Sequence, residues 1–267
     1  MEILEILGYA SAILMGLSLG LIGGGGSILT VPILVYLLGV GAETSTAYSL
    51  FIVGLTSLFG SISHMRMGNI HWKTAIIFGI PAIISVYLTR HYIVPAIPDE
   101  IFNKENFILK KDMALLLFFA VIMVLASYSM IKKKKGVVEN EESEIKYNFP
   151  LIGAEGLVVG LVTGLVGAGG GFLIIPALVL LAKLPMKQAV GTSLIIIASK
   201  SLLGFLGDLG REIDWTLLLT FSAIAIVGIF IGASLSKKIS GAKLKPAFGW
   251  FVLIMGIYII INSLMKS

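Results

Sequence analysis

The chain has no cysteine among its 267 residues, which excludes disulfides, thiolate metal sites and thiol chemistry. It has little charge: Asp, Glu, Lys and Arg together make up 13 %, too few to cover the surface of a soluble protein of this length. There are only three histidines, and no Ser-His-Asp, metal-ligand or phosphate-loop arrangement can be built from the polar residues present. The sequence therefore offers no enzyme and calls for no cofactor or metal. No basic stretch precedes the first apolar segment, which instead follows Glu2 and Glu5, so it is not expected to be a cleaved signal peptide. The net charge of +5 could suggest nucleic acid, but the lysines cluster in short loops beside apolar segments. That is a mark of membrane orientation, and no nucleic-acid partner is expected.

What the chain does have is apolar sequence. Hydrophobic residues make up 57 %, in segments near 5–22, 27–39, 44–63, 72–94, 112–131, 151–168, 172–182, 187–207, 215–236 and 246–264. Several reach the roughly twenty residues that cross a ~30 Å hydrocarbon core, so the partner of most of the surface is a lipid bilayer. The one long polar connector, 132–150, carries Lys132 to Lys135 followed by Glu139, Glu141, Glu142 and Glu144. It divides the chain into a first half, 1–131, a linker, 132–150, and a second half, 151–267. A smaller loop at 95–111, with Pro95 and Pro98, has no counterpart in the second half.

The halves are copies. Gly16-Leu-Ser-Leu-Gly20-Leu-Ile-Gly-Gly-Gly-Gly-Ser27 returns 144 residues later as Gly160-Leu-Val-Thr-Gly164-Leu-Val-Gly-Ala-Gly-Gly-Gly171, and twelve of twenty-three positions are identical between 16–38 and 160–182. Counting lysine and arginine bears on their relation. If each glycine cluster is a hairpin that enters and leaves on one side, the halves are inverted, and thirteen basic residues fall inside against six outside, with Lys200 in the membrane. If each cluster is a kink in one spanning helix, the halves are parallel and the count is nine against ten. The excess of inside cations favours inverted repeats, outside termini and a cytoplasmic linker. The expected fold is all-α: two inverted halves in the cell (inner or plasma) membrane, each with a broken or re-entrant helix pair at its glycine cluster and about three full transmembrane helices.

In lipid, a backbone break persists only where it lines a cavity or a site. Gly23 to Gly26, and Gly167 with Gly169 to Gly171, give close backbone approach and positive φ, and each cluster opens a short helix. The unpaired N–H groups and positive dipole end at such a start favour an anion. This makes Gly24, Gly25, Gly26 and Ser27, with Gly169, Gly170 and Gly171, candidate substrate-binding residues. The plainer account of membrane glycines is close helix packing, which suits the G-xxx-G spacings Gly16/Gly20 and Gly160/Gly164. Trp72, Trp215 and Trp250 fall at segment boundaries, as interface anchors do.

The pattern Gly-Leu-(Ile/Val)-Gly-(Gly/Ala)-Gly-Gly, its apolar run to Pro32 or Pro176, and Ala189-Val-Gly-Thr192-Ser193-Leu downstream resemble the TauE/SafE family of sulfite and organosulfonate exporters, also called TSUP. The resemblance covers nearly the whole chain and implies a multi-spanning inner-membrane transporter of sulfur-containing anions such as sulfite, sulfoacetate or thiosulfate. Thiosulfate-uptake relatives use cysteines along their path, and with none here that mechanism does not carry over.

A second candidate site centres on Lys200, thirteen residues into an apolar helix. A lysine there costs about 2.5–3.5 kcal/mol on insertion, so it should face a polar interior or a partner; the alternative is that it snorkels to an interface. Ser193 and Lys200 share a stripe flanked by Thr192 and Ser199, and the first half offers Ser49 for Ser193 and Thr56 for Lys200. Ser49, Thr192, Ser193, Ser199 and Lys200 thus join the candidate substrate-binding set. Glu155 and Asp208 are candidate proton-coupling carboxylates. The bland account of Glu155 is an interfacial position, and Asp208 would either be solvated at a helix end or pair with Lys200 across two turns. His64 and His71 flank a polar loop with Arg66. The expected function is a secondary transporter for a small anion, with protons as a coupling ion and alternating access at a midplane site. A passive anion channel, or a non-transporting membrane sensor or scaffold, is the alternative.

Overall fold

The structure is a computed structural model and describes residues 3–24, 26–104, 107–131, 149–166, 171–180, 182–210, 212–236 and 241–265. Among the described residues ten helices of ten residues or more carry the fold: α1 (Ile3–Ile22), α2 (Ser27–Tyr36), α3 (Ala42–Arg66), α4 (Trp72–Leu88), α5 (Lys111–Ile131), α6 (Phe149–Val166), α7 (Gly171–Leu180), α8 (Met186–Phe205), α9 (Trp215–Ser236) and α10 (Gly241–Met265). Among the described residues five helical stretches, Leu4–Ile22, Ala42–Arg66, Trp72–Ala96, Met186–Asp208 and Trp215–Ser236, are long and apolar enough to span a membrane. Shorter apolar helices accompany them, and the chain is a multi-pass membrane protein. The fold is all-α, as expected, but for one short element. Strands β1 (Glu100–Lys104) and β2 (Phe107–Lys110) pair antiparallel in the polar region between α4 and α5.

At the first glycine cluster the chain doubles back. Gly23, at φ +82°, closes α1 with its N–H on the Leu19 carbonyl at 2.7 Å, the left-handed cap that a residue without a Cβ adopts freely. Gly26 then lies against α1, where a Cβ would meet the Met15 carbonyl oxygen at 2.1 Å, while Leu38, just past α2, packs on Gly8 near the start of α1. So α2 runs back along α1, and the two form a hairpin rather than one kinked helix.

Packing follows the repeat. Helix α1 lies on α9 and α6 lies on α4; α3 packs on α8, and α5 on α10. Exchanging each helix for its copy in the other half maps this set onto itself. The glycine spacings match in the same way. A Cβ on Gly16 or Gly20 would strike the carbonyl oxygen of Ala225 or Ile229 on α9, and one on Gly160 would strike that of Ala82 on α4. The G-xxx-G motifs are therefore close helix contacts, each joining a hairpin of one half to a helix of the other.

Helices α3 and α8 are antiparallel. Leu50 approaches Gly204, Gly54 meets Leu202, and Gly60 faces Leu194. At one end of this pair, the Asp214 N–H donates to the Tyr48 hydroxyl at 2.7 Å; at the other, the His71 N–H donates to Thr192 Oγ1 at 2.9 Å. Tyr48 and Thr192 are repeat equivalents, so the two contacts are copies of each other.

Candidate functional site

The two glycine clusters meet in the interior. A Cβ on Gly24 would lie 1.9 Å from the Gly171 carbonyl carbon, and one on Gly171 would lie 2.1 Å from the Gly24 Cα. Only residues without side chains allow this backbone-to-backbone approach. Ser27 is fully buried beside it, its hydroxyl donating to the Gly24 carbonyl at 2.6 Å, and Gly26 is buried against α1. Gly25, Gly169 and Gly170 lie outside the described residues.

Helix α8 presents one face to this junction. A Cβ built on Gly23 would come within 2.8 Å of Ser193 Oγ, and one on Gly171 within 2.6 Å of Ile197 Cδ1. Lys200, one turn beyond Ile197, is fully buried, and its Nζ donates to Thr163 Oγ1 on α6 at 3.0 Å. The Thr163 hydroxyl in turn donates to the Val159 carbonyl, which leaves its oxygen free to accept. Among the described residues Lys200 has no ion-pair partner. An ammonium held this way in an apolar interior keeps most of its desolvation cost.

Ser49 is fully buried, with no hydrogen-bond partner for its hydroxyl among the described residues. The same holds for Thr30, Ser57 and Ser201, which sequence reasoning missed because serines and threonines in apolar helices usually bond their own backbone. Two predicted residues stand elsewhere. Thr192 is tied to the His71 backbone at the mouth of α8. Ser199 is exposed, its hydroxyl donating to the Ile195 carbonyl at 2.9 Å; it lies 100° round the helix from Lys200 and does not face the junction.

Asp208 does not complete Lys200 in an ion pair. It sits in a 3₁₀ turn after α8 and is bound by Arg90, a residue the sequence reading did not single out. Arg90 Nε and Nη2 donate to the two Asp208 oxygens, each at 2.7 Å, and Nη1 donates to Thr46 Oγ1 at 2.9 Å and to the Gly164 carbonyl at 3.4 Å. Arg90 lies in a π-helical turn, Thr89–Ile93, that extends α4, a distortion often found at functional positions. Glu155 is half-buried on α6, yet both its carboxylate oxygens are covered and have no hydrogen-bond partner among the described residues. His64 is buried at the end of α3 rather than solvated in the loop beyond it.

An apolar helical bundle that encloses a buried cation, unpaired hydroxyls and two abutting backbone breaks is an integral membrane protein with a polar interior. The chain belongs to the sulfite exporter TauE/SafE family, whose sequence profile matches residues 9–259. It is 29 % identical over 255 residues to a "Probable membrane transporter protein" of Xylella fastidiosa (strain 9a5c), covering 94 % of this chain and 92 % of that one. It is 27 % identical over 235 residues to "Probable membrane transporter protein YdhB" of Bacillus subtilis (strain 168), covering 88 % and 91 %. The family and these names indicate a membrane transporter. No solved structure matches the chain.

Proposed function

We propose that the protein is a secondary transporter for small sulfur-containing anions, sulfite, sulfoacetate or related organosulfonates, bound between its halves where the glycine hairpins meet. The observation that carries this reading is Lys200: a fully buried cation with no carboxylate partner among the described residues, beside hydroxyls and backbone breaks. An anion would supply the missing countercharge, which makes the empty site costly and the filled one favourable. The backbone near Gly24 and Gly171 and the hydroxyls of Ser49 and Ser193 would surround it.

Alternating access is the mechanism we read from this construction. Each hairpin is packed on a helix of the opposite half, so the halves can rock about the α3–α8 contact and expose the junction to one side and then the other. The doubling back of α2 and the antiparallel α3 and α8 support inverted halves, 1–131 and 151–267. The excess of lysine and arginine on that side supports a cytoplasmic 132–150 linker, with the protein in the cell (inner or plasma) membrane as our reading. Glu155, with covered and unpaired oxygens, is the better candidate for proton coupling, because Asp208 is already engaged by Arg90.

Purified protein in liposomes tests this directly. Sulfite, sulfoacetate or thiosulfate should show saturable, proton-gradient-dependent flux that Lys200→Ala abolishes. Absence of flux for all three, or an unaffected Lys200→Ala variant, would sink the reading, and flux that neither saturates nor responds to a proton gradient would make the protein a channel.

A further inference from the structure

Two buried cations are held by consecutive residues of α6. Lys200 Nζ donates to Thr163 Oγ1 at 3.0 Å, and Arg90 Nη1 donates to the Gly164 carbonyl at 3.4 Å. Both side chains are wholly buried. Asp208, which binds the other edge of Arg90, follows Lys200 by eight residues, about 12 Å further along α8 and its 3₁₀ extension. Arg90 and Asp208 therefore stand between Lys200 and the end of the bundle where α3 begins. A cavity of about 340 Å³ opens at that end, with Glu43, Thr44, Asp99, Lys110 and Lys111 in its wall. Asp99 and Lys110 are exposed, and Lys111 pairs with Glu43 at 3.2 Å. The Thr46 hydroxyl donates to the Glu43 carbonyl at 2.6 Å and accepts from Arg90 Nη1 at 2.9 Å. Polar groups thus succeed one another from the cavity, through Thr46 and Arg90, to Thr163 and Lys200.

The guanidinium is bound along two edges. Nη1 is fixed by neutral groups, the Thr46 hydroxyl and the Gly164 carbonyl, which keep the fork in its plane without help from Asp208. Nε and Nη2 each donate at 2.7 Å to one oxygen of Asp208, a paired geometry that fits any small anion with two oxygens on one centre. A buried ion pair is often no more stabilising than apolar packing of the same volume, so stability is a weak account of this one. Its position gives a better account. Arg90 and Thr46 come from the first half, Asp208 and Gly164 from the second, so any opening of the halves at this end pulls the pair apart.

Resting on the transport reading above, we infer that Arg90 is a second anion-binding residue, between the cavity and Lys200, and that Asp208 is its resident carboxylate. Asp208 closes this end of the path until a substrate anion takes its place on Nε and Nη2. The pair re-forms behind the anion as it moves on to Lys200.

The test compares full-length wild type, Asp208→Asn and the charge-free Arg90→Gln/Asp208→Asn. The probe is whichever of sulfite, sulfoacetate and thiosulfate wild type carries fastest, read by thermal stabilisation in detergent and by flux in liposomes. Asp208→Asn removes the internal competitor, so half-maximal stabilisation should need about tenfold less anion, although the ligand-free melting temperature falls. The double variant leaves no uncompensated charge and should fold, lose that gain in affinity and carry the anion about tenfold more slowly or worse, with Lys200 intact. If Asp208→Asn does not fold, the double variant decides alone. If the double variant transports as wild type does, or Asp208→Asn folds and keeps wild-type affinity, this inference falls and the transport reading stands. A double variant that does not fold makes the pair a structural tie, and the inference falls in the same way. If wild type carries none of the three anions, both readings fail together.

Discussion

Arg90 and Asp208 form a two-point ion pair with both side chains out of reach of solvent, at 0 % and 1 % exposure. The pair joins the π-helical extension of α4, in the first half, to the 3₁₀ turn after α8, in the second. Thr46 and the Gly164 carbonyl complete the guanidinium's partners, so four segments converge on one side chain. The repeat equivalent of Asp208 is His64, and that of Arg90 falls at Ala233 and Ser234, so this ion pair belongs to one end of the bundle only.

Removing one partner of such a pair leaves a buried charge alone. Arg90→Ala and Asp208→Ala should each destabilise the protein by about 3–5 kcal/mol, whereas an apolar double replacement such as Arg90→Met/Asp208→Leu should recover much of that loss. Melting curves of the detergent-solubilised protein read this as a double-mutant cycle. Additive losses would show that the two residues do not act as a unit.

The glycine junction makes a sharper prediction. Gly24→Ala or Gly171→Ala places a Cβ about 2 Å from opposing backbone atoms, which cannot give way as a flexible side chain can, and should sharply reduce folded protein. Gly41, which has φ −54° and nothing within 4 Å of its Cβ position, should accept alanine with no more than about 0.5 kcal/mol of change. Yield of monodisperse protein and melting temperature compare the two. Equal tolerance at Gly24 and Gly41 would contradict the packing described.

The absence of cysteine makes the chain a ready background for testing topology. Inverted halves place the α3–α4 loop and the α8–α9 loop on opposite faces of the membrane, while parallel halves would place them on the same face. Arg66→Cys and Glu212→Cys lie at exposed positions and should react with a membrane-impermeant maleimide from opposite sides in oriented vesicles. Labelling from one side only for both would return the kinked-helix topology.

How much of this was legible in the sequence depends on the physical constraint behind each part. Lipid fixes the length and polarity of spanning helices, so all ten apolar segments coincide with helices to within a few residues. The two glycine clusters also come together in space, Gly24 against Gly171. The hairpin was harder to read: a ten-residue helix such as α2 is compatible with a kink or a reversal, and only its contacts with Met15 and Gly8 decide. Arg90 was passed over because it falls inside the apolar segment 72–94, where nothing in the sequence marks it as paired. Asp208, the one acid at the end of α8, was the available signal, but its distant partner could not be chosen from sequence spacing. The unpaired serines were missed because a hydroxyl's lack of a partner exists only in three dimensions.

His71 supplies a pH prediction outside the membrane-spanning segments. It caps α4, with Nδ1 accepting from the Thr74 N–H at 3.3 Å. Burial, and then the charge of Lys73, lower its pKa below the ordinary value of 6.5. A base whose folded pKa is depressed binds fewer protons when folded than when unfolded, so stability is held above pH 6.5 and falls as pH drops towards and through the folded value. Protonating Nδ1 also removes the acceptor on which the cap depends. The side chain is only partly buried, so solvent screening keeps the effect below about 1 kcal/mol. His71→Asn keeps a capping oxygen and does not titrate. Melting temperatures from pH 7.5 to 5 should fall less steeply in this variant than in wild type, and parallel curves would show that His71 titration does not contribute.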